Sequence, residues 1–160
     1  MIYNLRCSND TITWDNGTEH RVSLDEAFMA LEVNGYIQVC CGKNYNISRV
    51  AYFDEDGRFK MSYDFDTKTL KSETMNTTKV DNVLSVVPLN KEPGLIILTD
   101  YNTLVMCLPG RRSVELSAPY GITMIMMDIE DDTVKVVCKD MFDKKVVYKY
   151  NPETHKLEEI

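Results

Sequence analysis

Short apolar runs separated by turn-forming residues are the feature that most constrains the fold of this chain. The runs are about five to eight residues long, are rich in Val, Ile, Tyr and Thr, and end at Gly, Pro, Asn or Asp. The strongest turn signals are Asp15-Asn16-Gly17, Asn34-Gly35, Asp54-Glu55-Asp56-Gly57, Pro109-Gly110 and Asn151-Pro152. Because this run length and punctuation are typical of strands, the sequence predicts a mostly β protein.

Four of the turns recur at related positions, which indicates a weak internal repeat. Gly17, Gly57, Gly110 and Pro152 each precede a short polar run, at spacings of about 40, 53 and 42 residues. After three of these polar runs come an apolar run, a turn and a second apolar run, so that a unit has four strands. Repeats of about 40 to 50 residues with four strands are typical of propeller blades. We therefore expect an all-β, propeller-like array of about four small antiparallel sheets.

Length and composition indicate how many domains such sheets form. A chain of 160 residues, 44% of them hydrophobic, can bury one sizeable core. We therefore expect a single domain over residues 1–160. Within it, the polar, threonine-rich segment 64–79 departs from the repeat and is predicted to be an insertion or a long loop.

One segment also fits a helix. Ser23-Leu24-Asp25-Glu26 is a capping-box pattern, and apolar residues follow it at helical spacing as far as Leu31. The same segment can instead form a hairpin, in which residues 28–33 pair with residues 36–41 across a type I′ turn at Asn34-Gly35. We favour the hairpin because two similar hairpins are predicted downstream. The helix would give an α+β fold of antiparallel sheets with one helix near residues 24–33.

The charge balance narrows the choice of partner and compartment. With 18 Lys and Arg against 25 Asp and Glu, the net charge is -7, which disfavours binding to nucleic acid or to an anionic membrane and favours a basic protein. The N-terminus, Met1 to Arg6, lacks the features of a signal peptide, and no apolar run approaches the roughly 18 residues of a membrane span. We expect a cytoplasmic protein that does not enter a membrane.

The cysteines and histidines argue against metal and nucleophilic chemistry. Five cysteines form no C-x-x-C pair, and their apolar neighbours predict reduced, mostly buried thiols. The two histidines, His20 and His155, are expected at the surface and are too few for a three-histidine zinc site. Motifs for a nucleophilic serine or a nucleotide phosphate are also absent from the sequence. We expect no catalytic residues, no metal and no cofactor, and therefore a protein that is not an enzyme.

Acidic residues concentrate in the predicted turns. In four-stranded antiparallel units, the turns after strands one and three leave the sheet at the same end, which would gather Asp54, Glu55, Asp56, Glu130, Asp131 and Asp132 on one rim. We predict these six acids as the partner-binding surface, with Tyr36 and Tyr120 as aromatic anchors. Further acids on the same rim would be Asp15, Glu19, Glu92 and Glu153. An ordinary solvated acidic surface is the alternative, and the opposite, more mixed end around Lys43, Tyr101 and Phe142 is the next candidate surface.

In its size, its acidity, and its lack of a signal peptide and of catalytic motifs, the chain resembles the small immunity proteins of bacterial toxin systems, including those of contact-dependent growth inhibition. The resemblance covers the profile of the whole chain and includes no motif. It implies an inhibitor that blocks the basic active site of a nuclease toxin, with the acidic turns in place of the phosphates of the nucleic acid. Two other functions stay open: a small-molecule enzyme that uses a carboxylate pair, and a propeller fragment that serves as a scaffold.

Overall fold

The computed structural model describes residues 1–89 and 91–160 and shows an all-β protein, as predicted. In this part of the chain the only helical element is a short 3-10 turn, Lys43–Tyr45. The strands are β1 (Tyr3–Ser8), β2 (Thr11–Asp15), β3 (Glu19–Ser23), β4 (Ala27–Val33), β5 (Tyr36–Cys41), β6 (Arg49–Asp54), β7 (Phe59–Asp64), β8 (Thr69–Ser72), β9 (Thr77–Lys79), β10 (Val83–Pro88), β11 (Leu95–Thr99), β12 (Thr103–Cys107), β13 (Val114–Ser117), β14 (Thr123–Glu130), β15 (Thr133–Lys139), β16 (Lys145–Asn151) and β17 (Lys156–Glu159).

The strands form four small antiparallel sheets, which confirms the predicted all-β array of about four small sheets. The sheets have the orders β1-β2-β3, β4-β5-β6-β7-β8-β9, β10-β11-β12-β13 and β14-β15-β16-β17, so each strand pairs with its neighbour in sequence. The chain divides into two compact units, Met1–Val80 and Asp81–Ile160, with two sheets in each. The assignment of residues 1–160 to a single domain stays a prediction, and each unit is described by itself.

The segment that fitted either a helix or a hairpin is a hairpin. Val33 pairs with Tyr36, and Asn34 and Gly35 have φ angles of 46° and 82°, as a type I′ turn requires. The favoured hairpin is thus confirmed, and the alternative, a helix near residues 24–33, is wrong: Glu26 has a φ of 62°, which a helix excludes, and the next residues pair with β5.

Segment 64–79 is not a long loop. It forms β8 and β9, which extend the second sheet of the first unit from four strands to six. The turn after β7 is fixed by the Asp64 carboxylate, which accepts hydrogen bonds from the backbone N–H groups of Asp66 at 2.9 Å and Thr67 at 3.0 Å. Because threonine favours an extended backbone, this polar segment forms strands at the edge of the sheet.

A separate core holds the two sheets of each unit together. In the first unit, Ile12 and Trp14 of one sheet pack with Ile37, Val39 and Phe53 of the other. In the second unit the same role falls to a cluster that includes Ile96, Leu98, Leu104, Met127 and Val136.

The cysteines are free thiols, as predicted. Cys40, Cys41, Cys107 and Cys138 are buried and Cys7 is half-buried. Burial raises the pKa of the Cys107 thiol to about 12 and that of Cys138 to about 11. Both thiols are therefore protonated, and unreactive, at neutral pH.

Among the residues described, no helix has the length and the apolar character that crossing a membrane demands.

Candidate functional site

The first acidic turn of the first unit connects β6 to β7. The Asp54 carboxylate accepts hydrogen bonds from the backbone N–H groups of Asp56 at 3.0 Å and Arg58 at 2.9 Å, and Gly57 has a φ of 84°. This carboxylate therefore holds its own turn in shape. Asp56 is exposed and Glu55 is half-exposed.

A second turn of the first unit, between β2 and β3, lies against the first. The indole Nε1 of Trp14 donates to the Glu55 carbonyl at 2.7 Å, and the Asn16 amide donates to the same carbonyl and to the Asp56 carboxylate, both at 3.0 Å. These bonds bring the β2–β3 turn, with the paired residues Asp15 and Glu19 at its two ends, close to the β6–β7 turn. The core residue Trp14 thus joins two acidic turns that are about 40 residues apart in sequence.

Tyr36 lies at the same end of the first unit. It is the pairing partner of Asp54 in the sheet and is half-exposed. We define the acidic end of the first unit as Tyr36 together with Asp15, Glu19, Asp54, Glu55 and Asp56. Two cations partly neutralise it: the Met1 amino group lies 3.2 Å from Glu55, and Lys60 lies 3.9 Å from Asp54. The pKa of Lys60 is raised, first by its hydrogen bond with Glu73 and then by the negative charges of Glu73 and Asp54.

The acidic turn between β14 and β15 has an unusual backbone. Glu130 pairs with Thr133, and the two residues between them, Asp131 and Asp132, have φ angles of 52° and 59°. Both aspartates are exposed, and among the residues described neither forms an ion pair, whereas Glu130 lies 3.3 Å from Lys135. Two adjacent negative charges therefore face solvent from a left-handed turn, a conformation that Asp tolerates and Gly prefers.

Glu92 connects two other turns of the second unit. Its Oε1 accepts a hydrogen bond from the Tyr150 hydroxyl at 2.8 Å, and its Oε2 lies 3.2 Å from Nε2 of His155. The rings of Tyr150 and His155 stack, with a centroid distance of 6.2 Å. Burial, and then the bond to Glu92, raises the pKa of Tyr150. The connection after β10 and the β16–β17 turn are thereby held together.

Residues of these two turns and of the β14–β15 turn line one small cavity. It has a volume of about 30 Å³, and Lys91, Glu92, Asp132 and Tyr150 line it together with apolar atoms of Leu89, Val134 and Pro152. A space of this size holds one or two waters. We define the acidic end of the second unit as Glu92, Glu130, Asp131, Asp132 and Glu153.

Each unit therefore gathers its own acidic turns, as the strand pattern predicted. Tyr36 lies with Asp54, Glu55 and Asp56 in the first unit. That the acidic ends of the two units form one rim stays a prediction.

Tyr120 does not lie with Glu130, Asp131 and Asp132. It precedes β14, whereas the acidic turn follows it, and a strand of this length separates the two by about 25 Å. Tyr120 instead belongs to the opposite end of the second unit, where Asn102 holds its loop: the Asn102 side chain bonds to the Ile122 carbonyl at 2.8 Å and to the Met124 N–H at 2.7 Å.

The histidines differ from their expected surface positions. His20 is half-buried and stacks on Trp14 at 5.5 Å, and its Nε2 lies 2.8 Å from the Asn16 side-chain oxygen. His155 is half-buried against Tyr150 and Glu92. The sequence carried no signal for either contact, because the turns that meet are far apart along the chain.

Within residues 1–89 and 91–160, no group of three or more His, Cys, Asp or Glu side chains is placed to hold a metal ion. No protein-family model, no curated protein and no solved structure matches the chain.

Proposed function

We propose that this protein is an acidic protein-binding module, and most concretely an immunity-type inhibitor that blocks the basic active site of a nuclease toxin. The net charge of -7 supports a basic partner. The grouping of acidic turns in each unit supports a localised contact surface, since clustered charges sum into a field that steers an oppositely charged protein into contact.

The Asp131-Asp132 turn carries the proposal. The same fold closes its β4–β5 hairpin with Asn34-Gly35, the pair that suits a type I′ turn best. Two aspartates in the same conformation are less favourable, because both lack the freedom of glycine and their charges repel. Local stability gives no reason for acids there, whereas binding a cationic surface does.

The inhibitor would act by covering the active site of the nuclease and would take no part in a chemical step. A nuclease holds nucleic-acid phosphates with Lys and Arg side chains, and carboxylates on rigid turns offer those side chains equivalent acceptors. Attraction between opposite charges raises the association rate, and the bulk of the sheets then covers the active site.

The test compares three variants, each with three acids neutralised. The first carries Asp54→Asn, Glu55→Gln and Asp56→Asn, in which asparagine at position 54 keeps an oxygen for the turn. The second carries Glu130→Gln, Asp131→Asn and Asp132→Asn. The control carries Asp10→Asn, Asp25→Asn and Glu26→Gln, three exposed acids in the β1–β2 and β3–β4 connections at the opposite end of the first unit.

The readouts are capture of a basic protein from the native host, and then its association rate across a salt series. We expect the first and the second variant each to slow association by about tenfold or more and to flatten its salt dependence, and the control to change little. Association that is equally fast for all three variants would contradict the proposal. The captured protein should also cleave nucleic acid, and its cleavage should stop when the wild-type chain is added.

A small-molecule enzyme is the second candidate, because the carboxylates of Glu92 and Asp132 line one cavity. At about 30 Å³ the cavity is far smaller than the roughly 300 to 1,000 Å³ of ordinary ligand pockets. Turnover of a small substrate that is lost in Glu92→Gln but kept in Glu55→Gln would favour the enzyme over the inhibitor.

A further inference from the structure

Four large apolar side chains are unusually exposed on the turns opposite the acidic end of the second unit. The exposed fractions are 66% for Tyr101, 96% for Tyr120, 69% for Met141 and 86% for Phe142. Tyr101 lies in the β11–β12 turn, Tyr120 in the β13–β14 connection, and the other two in the β15–β16 turn. Interfaces between proteins are enriched in these residue types.

These three turns are joined to one another. Asn102, next to Tyr101, bonds through its side chain to Ile122 and Met124, and its carbonyl accepts from the Ala118 N–H at 3.2 Å. The Met141 side chain covers Gly121, where an added Cβ would lie 3.2 Å from its Cγ. Tyr101, Tyr120, Met141 and Phe142 therefore form one surface, the aromatic end of the second unit.

The backbone beneath this surface is fixed. The Asp140 carboxylate accepts hydrogen bonds from the N–H groups of Phe142 at 2.8 Å and Lys144 at 2.9 Å, and Asp143 donates to the Asp140 carbonyl at 3.1 Å. A turn held in this way presents its aromatic side chain without losing much backbone entropy when a partner binds.

The exposed area of these four side chains is large for one surface of a monomeric protein. Three aromatic side chains and a methionine at these exposures offer about 500 to 600 Å². This is close to the largest apolar patch on typical monomers, and it supplies most of the roughly 800 Å² that each partner contributes to a standard interface.

Charge at this end favours a second copy of the same chain. The turns and the adjacent strand ends carry Asp81, Asp100, Asp140 and Asp143 together with Lys139, Lys144 and Lys145. Two chains of net charge -7 repel each other least where their charges nearly balance, and a mixed rim can place each lysine against an aspartate of the other copy.

We propose that the aromatic end of the second unit is a homodimer interface, in which Tyr120 and Phe142 of one copy pack on the same surface of the other. This inference does not depend on the proposed function. The interface lies at the opposite end of β14 from Asp131 and Asp132, so that a dimer leaves the acidic turn of each copy accessible.

Sedimentation equilibrium of the full chain, from about 1 µM to about 500 µM, tests the proposal. We expect a concentration-dependent mass that approaches twice 18.4 kDa. The double variant Tyr120→Ser with Phe142→Ser should raise the dissociation constant at least about tenfold. Tyr45→Ser, which removes an aromatic side chain of 81% exposure from the first unit, is the matched control and should leave the constant unchanged.

Thermal unfolding checks that the double variant keeps its fold, which is expected because both side chains lie on the surface. A chain that stays monomeric at the highest concentration would overturn the proposal. So would a dimer that the double variant leaves intact, since the copies would then meet at another surface.

Discussion

The indole Nε1 of Trp14 donates a hydrogen bond to the backbone carbonyl of Glu55, 2.7 Å away and 41 residues further along the chain. Trp14 is only 1% exposed and belongs to the core of the first unit. The hydrogen bond therefore connects the packing of the core to the position of an exposed acidic turn. Surface charge in this unit is arranged by a buried side chain.

Replacing Trp14 with phenylalanine should destabilise the protein by about 1–3 kcal/mol, because an aromatic ring remains while the bond to Glu55 is lost. Urea unfolding measures the change. Tyr3→Phe, which removes a hydroxyl from an exposed ring, is the control and should change the stability by less than about 0.5 kcal/mol. An unchanged midpoint for Trp14→Phe would show that the bond does not hold the turn.

Exchanging the two aspartates of the β14–β15 turn for Asn-Gly should stabilise the fold by about 1–2 kcal/mol, since both positions have positive φ and two like charges disappear. The reverse substitution in the β4–β5 turn tests the same two effects, the positive φ angles and the repulsion between like charges. Asn34→Asp with Gly35→Asp should destabilise the β4–β5 hairpin by a similar amount, because it adds two like charges and a side chain at the positive φ of Gly35, where the added Cβ itself meets no atom. Equal stability of Asp131→Asn/Asp132→Gly and the wild type would remove the evidence that acids are retained at a cost.

Tyr150→Phe should destabilise the second unit by about 1–3 kcal/mol, because the hydroxyl bonded to Glu92 is lost while the carboxylate stays half-buried. Glu92→Gln should have a smaller effect, since its amide oxygen still accepts the tyrosine hydrogen bond. Denaturant unfolding of both variants gives the comparison. A larger loss for Glu92→Gln than for Tyr150→Phe would indicate that the contact with His155 is the important one.

The buried thiols predict a loss of stability at high pH. Burial raises the pKa of Cys138 to about 11 and that of Cys107 to about 12, whereas an unfolded thiol ionises near about 8.5. Because the folded protein favours the protonated thiols, they contribute to the free energy of unfolding. This contribution is complete below about pH 8.5 and is lost as the pH rises towards 11 and 12.

Unfolding free energies measured under reducing conditions should therefore fall between about pH 9 and about pH 11. Cys138→Ala should make that fall less steep, whatever its effect on stability at neutral pH. In the native protein a thiol reagent should label Cys7 first, because only this thiol is partly accessible. Prompt labelling of Cys107 or Cys138 before unfolding would contradict the burial.

Local patterns predicted the elements well because they act over a few residues. Asn34-Gly35 favours a type I′ turn through its own backbone freedom, and it formed the turn even though Ser23 to Glu26 fitted a helix start. The helix did not form because β4 pairs with β5 along the hairpin, whereas a helix would have left that side of β5 unpaired. In segment 64–79 polarity suggested a loop, but threonine at a sheet edge tolerates solvent on both sides and still forms strands.

The sequence by itself determined the run lengths, the turns and the negative charge, and these are enough for an all-β protein made of small sheets with acidic turns. Only the tertiary structure decided which turns meet. It placed the Glu55 carbonyl against Trp14, the Glu92 carboxylate against both Tyr150 and His155, and the Met141 side chain over Gly121, the residue after Tyr120. Such contacts join residues about 20 to 60 positions apart. They depend on how the two sheets of a unit pack, and no spacing along the chain records that packing.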